Sequence, residues 1–137
     1  MTSTLGGSIE LQILFCAMAL GLIQLVLAFL LTLPKVGVLY EVGPRDEPKP
    51  LGTIGGRADR AFKNFLETFV FFAAAVLLNT VLGKHTAMSA LGAQIYIWAR
   101  LIYVPLYILG IPWLRTLVWI ASFVGILMVM AAFWPGM

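Results

Sequence analysis

The chain has 137 residues, 61% of them hydrophobic and only 11% charged, with a net charge of +3 and a mean hydropathy of +0.99. A soluble domain carries about a quarter charged residues, and a small globule needs a wet polar surface, so the composition excludes a soluble fold and leaves lipid as the main solvent. One cysteine (Cys16) and one histidine (His85) exclude a disulfide framework and a histidine-rich metal site, and no segment supplies the solvated basic face of a nucleic-acid binder.

The N-terminal MTSTLGGS lacks the basic stretch of a secretory signal, so the apolar run after it is expected to be a retained helix. About 20 apolar residues cross a bilayer, and four runs reach that length: residues 9–33, 61–82, 87–109 and 113–134. Pro34 is expected to stop the first. Residues 34–60 form a long polar loop in which Pro44, Pro48 and Pro50, with Gly43, Gly52, Gly55 and Gly56, argue against regular structure. Pro105 falls inside the third run and is expected to kink or loosen it. In the fourth, Trp113 and Trp134 are 21 residues apart, roughly 32 Å at 1.5 Å per residue, which puts an indole at each interface. Short connections after the second and third runs predict antiparallel neighbours. The expected fold is all-α: one domain over residues 1–137, an up-down four-helix transmembrane bundle.

Seven basic residues (Lys35, Arg45, Lys49, Arg57, Arg60, Lys63 and Arg115) fall on one side of these spans and only Lys84 on the other. The positive-inside rule then makes the long loop cytoplasmic and turns both termini to the periplasm or lumen. A bacterial inner membrane is the expected location.

Ionisable groups at membrane depth are costly and mark function. In the second run Arg57, Arg60, Asn64 and Glu67 fall within an arc of about 80° at 100° per residue. In the third, Tyr96, Arg100, Tyr103 and Tyr107 are spaced 4, 3 and 4 and share a face. Counting from the helix ends puts Glu67 and Arg100 each roughly 15 Å deep, so an ion pair between adjacent helices is expected, of use to the fold alone or to a site. Tyr107 should lie level with Arg60, with Arg115 at the mouth. Cations outnumber anions here, so an anionic ligand with several hydrogen-bonding groups is expected. Elsewhere, Cys16 is expected to pack, Glu10 to sit at the outer interface, His85 to be a solvated loop residue, and Asn79 and Thr80 to bridge helices.

Residues 57–67 read RADRAFKNFLE, fitting RxxRAxxNxxE at Arg57, Arg60, Ala61, Asn64 and Glu67. With Arg100, Tyr103, Tyr107 and Arg115, this resembles the MAPEG family, the membrane-associated proteins of eicosanoid and glutathione metabolism, in a bacterial-type member. The resemblance implies a homotrimer that binds glutathione as co-substrate between subunits. It implies that Arg60, Asn64 and Glu67 hold the tripeptide's carboxylates and amine, that Tyr103 and Tyr107 add hydrogen bonds, that Arg57 and Arg100 belong to the same ligand-binding set, and that Arg115 is the catalytic, thiolate-holding arginine. Lys35 stands where many members end their first span with an arginine. The implied function is a glutathione-dependent transferase or peroxidase acting on hydrophobic, membrane-partitioned small molecules. The alternatives are a non-catalytic scaffold or lipid- or anion-binding protein of the same fold, and, on the charged interior alone, a small transporter or channel. Membrane lipids and further copies of the chain are the expected partners, with no nucleic acid and no metal.

Overall fold

A computed structural model describes residues 8–135; the stretch 1–7, on which the signal-sequence reading rests, lies outside the described residues. Among those described, all regular structure is helical: α1 (Ile9–Val36), α2 (Val38–Val42), α3 (Thr53–Val81), α4 (Ala87–Leu109) and α5 (Pro112–Ala131). All but α2 are long and apolar enough to cross a membrane.

The interior is built from the one stripe of each long helix that does not face lipid. Ala17 and Leu20 of α1, Phe65, Phe72 and Val76 of α3, Tyr96 of α4 and Val129 of α5 meet there. The opposite stripes stay apolar and exposed, as with Leu22 at 65% and Phe71 at 62%. Apolar outside as well as inside is what a lipid solvent requires. α4 packs most closely on α5, and α1 on α3. The α4–α5 crossing depends on two glycines: a Cβ on Gly92 would lie 2.6 Å from the Gly125 carbonyl oxygen, and one on Gly125 equally close to the Gly92 carbonyl. Backbones meet there without intervening side chains, the small-residue packing common between helices in membranes. Asn79 then fastens α3 to α5, donating to the Val129 carbonyl at 2.8 Å. Thr80 turns back on its own helix, to Val76.

Several local expectations differ. Pro34 does not end α1; the helix continues through it to Val36 and ends at Gly37, whose φ of 86° breaks the line. A proline costs one backbone hydrogen bond, which the packed helix tolerates. The loop is not wholly irregular, because α2 forms within it and α3 starts at Thr53, two turns before the apolar run. Those first turns pack on α1 at Gly55, where a Cβ would lie 2.8 Å from the Leu31 carbonyl oxygen. α4 is unbroken through Pro105. α5 ends at Ala131, leaving Trp134 in the turn beyond it and 69% exposed. Cys16 is exposed rather than packed.

The end of the bundle that carries the α3–α4 connection holds the largest surprise. Glu10 is 3% exposed, accepts from Ser89 Oγ at 2.6 Å and lies 3.3 Å from His85 Nδ1. Glu10 is therefore buried rather than open at the interface expected from sequence, while His85 is exposed in its loop as expected and in addition reaches Glu10. Ser89 is placed by the start of α4: it forms a capping box with Thr86, with reciprocal bonds of 3.0 and 2.9 Å. The three residues clasp the first turn of α1 to the α3–α4 connection.

Candidate functional site

At the opposite end the polar stripe of α3 faces the last turns of α4. The two helices run antiparallel in constant register. Thr68 meets Tyr96 (Oγ1 to hydroxyl, 3.1 Å), Phe65 meets Arg100, Arg60 meets Tyr107, and Arg57 meets Ile108. Counting residues from the helix ends was enough to foresee the level of Arg60 and Tyr107.

Tyr107 is the centre of the cluster. Arg60 donates from Nε to its hydroxyl at 3.3 Å, and Arg115 from α5 lies over its ring with Cζ 4.5 Å from the centroid. The Tyr103 ring is 5.6 Å from that of Tyr107, and Arg100 lies over Tyr103 at 4.3 Å. Guanidinium over an aromatic face is favourable, and more so where water is scarce. Two arginines from different helices and two tyrosines one turn apart thus form one patch, with a third arginine beneath.

Arg57 does something different. Its Nη1 donates to the Ile108 carbonyl at 3.2 Å, beside Gly110, whose φ of 75° ends α4. A Cβ on Gly110 would lie 2.9 Å from the Arg57 Cζ, so glycine also makes room for the guanidinium. A cation on the last carbonyls of a helix satisfies an open acceptor and the negative end of the dipole.

The expected Glu67–Arg100 ion pair is not found. The ion pairs among the described residues are Arg45–Glu41, Lys63–Asp59 and His85–Glu10. Depth matches but azimuth does not. Arg100 is 1% exposed and points inward at Tyr103 and Phe65, whereas Glu67 is exposed on the side of α3 that faces α5. Glu67 and Asn64 there line a groove of about 370 Å³ together with Trp119 and Phe123. A second hollow of about 220 Å³ adjoins it toward the α3–α4 connection, the two sharing Phe71 and Met130. Trp119 and Phe123 were not singled out from sequence. Their spacing of four from Arg115 is the signal that could have found them, since it continues one face of α5.

Several buried polar atoms in this region have no hydrogen-bond partner: all three Arg100 nitrogens, Asn64 Oδ1 and Trp119 Nε1. Leaving a buried donor or acceptor unpaired is expensive, above all a charged one. Arg57, Arg60, Arg100 and Arg115 gather here, and Glu67, the one carboxylate of the α3 stripe, makes no ion pair with them. The site is therefore positive and rich in hydrogen-bond donors, suited to an anionic ligand at its head and an apolar one along its groove.

The model of the MAPEG family matches residues 13–134. The chain belongs to the MAPEG family. Comparison with curated proteins and with solved structures found no match. The match takes in Arg57, Arg60, Asn64, Glu67, Arg100, Tyr103, Tyr107 and Arg115, and this MAPEG chain, with four membrane-crossing helices, is a multi-pass integral membrane protein in contact with lipid.

Proposed function

We propose that this protein is a glutathione-dependent transferase or peroxidase acting on hydrophobic electrophiles dissolved in the membrane. The observation that carries the proposal is the convergence of Arg60 and Arg115 on Tyr107, with Arg100 beneath Tyr103 and no carboxylate paired to any of the three. Glutathione carries two carboxylates and one ammonium group, which calls for an excess of cations with one anion. Arg60 supplies the first, with Arg100 adding positive charge from beneath Tyr103, and Glu67, with the unpartnered Asn64 Oδ1, supplies the second. Tyr103 and Tyr107 add hydroxyls. Arg57, committed to the Ile108 carbonyl, sets the end of α4 and contributes positive charge.

Bound there, glutathione supplies a thiol that adds to an electrophilic carbon, or two thiols that reduce a hydroperoxide to an alcohol and water with formation of a disulfide. Arg115 would hold the sulfur as thiolate. A free thiol has a pKa of about 8.5, and a guanidinium beside it favours the anion. Arginine suits this role because it stays charged in a poorly hydrated site. The apolar co-substrate would reach the sulfur along the α3–α5 groove past Trp119 and Phe123, on the face of α5 that carries Arg115.

The working unit is a homotrimer in this reading. Glu67 is exposed on a membrane-crossing helix, and a carboxylate facing lipid is costly, so a neighbouring copy has reason to cover it. The basic bias of the 34–60 loop and Arg115 makes that side cytoplasmic, in a bacterial inner membrane with both termini periplasmic. A second reading, a non-catalytic binding protein of the same fold, is favoured by one contact: Arg115 already packs on the Tyr107 ring, a use that requires no thiol.

Calorimetry on the protein in detergent tests the binding half of the proposal. Glutathione should bind, and its diethyl ester, lacking both carboxylate charges, should bind at least about tenfold more weakly, as loss of charge-assisted hydrogen bonds predicts. Equal affinities, or none, would contradict it.

A further inference from the structure

We propose that α2 is a membrane-interface anchor, whose Val38, Leu39 and Val42 insert into the lipid leaflet on the basic side of the protein. The helix is inside-out for an aqueous loop. Its aliphatic side chains are the exposed ones, Leu39 at 88%, Val42 at 76% and Val38 at 61%. Its polar side chains turn toward the protein: Tyr40 and Glu41 line a hollow with Thr32, Asp59 and Lys63, and the Glu41 side chain is only 13% exposed. A short helix bathed in water would present Glu41 and bury Leu39. The reverse arrangement is stable where the surroundings are apolar.

Lipid is the occupant because the apolar surface of α2 continues that of α1. Val26 and Leu30 are exposed in the second half of the membrane-crossing α1, away from the hollow that Phe29 shares with Tyr40 and Glu41. Gly37, at φ 86°, turns the chain out of the α1 axis, and α2 begins at the next residue. The helix therefore lies where the chain leaves the hydrocarbon, at the headgroup boundary in which amphipathic segments settle.

The anchor also holds the loop that follows it. Lys49 donates its backbone N–H to the Tyr40 hydroxyl at 3.2 Å, with its Nζ 5.2 Å from the Tyr40 ring centroid, and Arg45 lies 3.7 Å from Glu41. Residues 43–52 are thus fastened to the back of α2 just before α3 carries Arg57 and Arg60 to the site. None of this depends on which ligand the site takes.

The test uses the full chain in phosphatidylcholine–phosphatidylglycerol nanodiscs. On a Cys16→Ser background, Leu39→Cys, Val42→Cys and Glu47→Cys are each labelled with an environment-sensitive fluorophore. The labels are then challenged with iodide in the buffer or with lipids carrying a nitroxide near the headgroup. Labels at 39 and 42 should lose most of their emission to the nitroxide lipid and resist iodide, with the label at 47 behaving oppositely. Iodide quenching at 39 and 42 equal to that at 47 would overturn the proposal. Protection from both quenchers would also overturn it, because a second copy of the chain would then cover the helix.

Discussion

Arg115 lies against the face of Tyr107, its Cζ 4.5 Å from the ring centroid. The contact joins α5 to α4 at a tyrosine whose hydroxyl is held from α3 by Arg60. Three helices thus fix one ring. Removing only its hydroxyl, in Tyr107→Phe, should leave thermal stability nearly unchanged, since the Arg60 bond is exposed and charged contacts screened by solvent are worth about 1 kcal/mol or less. Glutathione affinity should fall a few-fold, and in Tyr107→Ala considerably further, because both arginines lose their support. Calorimetric titration of the two variants checks the order; equal losses would place the whole effect in the hydroxyl.

Arg57 and Arg60 are three residues apart on one helix but should respond differently. Arg57→Ala removes the cation from the Ile108 carbonyl and should lower stability by about 1 kcal/mol, with Arg57→Lys recovering part of it. Arg60→Ala should leave stability alone and weaken glutathione binding. Thermal unfolding in detergent, run beside binding, separates the two.

The Gly92–Gly125 crossing should tolerate nothing larger. Gly125→Ala places a methyl 2.6 Å from the Gly92 carbonyl oxygen and 2.9 Å from the Tyr96 nitrogen. Forcing these backbones apart should cost at least about 1–3 kcal/mol. Leu22→Ala, on the lipid-facing side of α1, serves as the near-neutral comparison in the same unfolding assay.

The Glu10–Ser89–His85 clasp should matter for folding and not for ligand. Ser89→Ala leaves the buried Glu10 without its 2.6 Å donor, a loss of about 1.5–3 kcal/mol for a bond to a charged group. Glutathione binding at the opposite end should be unchanged once the protein is folded. A large fall in affinity in the folded variant would show that the two ends communicate.

The number of spans and the levels of residues along them were legible in the sequence, because both follow from counting at 1.5 Å per residue along apolar runs. The α3 stripe and the level of Arg60 against Tyr107 came from that arithmetic. Azimuth between helices did not. Glu67 and Arg100 share a depth, yet one faces α5 and the other faces Phe65, and which way a helix turns is decided by close contacts such as Gly55 on Leu31. The Glu10–Ser89–His85 clasp joins residues more than seventy positions apart, one of them in a loop with no periodicity to read. α2 was hidden by its flanking glycines and prolines, which mark turns without excluding a single helical turn between them.

The central claim is that this cluster binds glutathione and that Arg115 holds its sulfur as the thiolate. The most direct measurement is the ultraviolet absorbance of the thiolate when glutathione is added at neutral pH to the purified protein in detergent. Wild type should show the band at millimolar glutathione. Arg115→Ala should lose it at saturation, and Arg60→Ala should show it only at higher concentration. No band in the wild type, or an undiminished band in Arg115→Ala, would contradict the account.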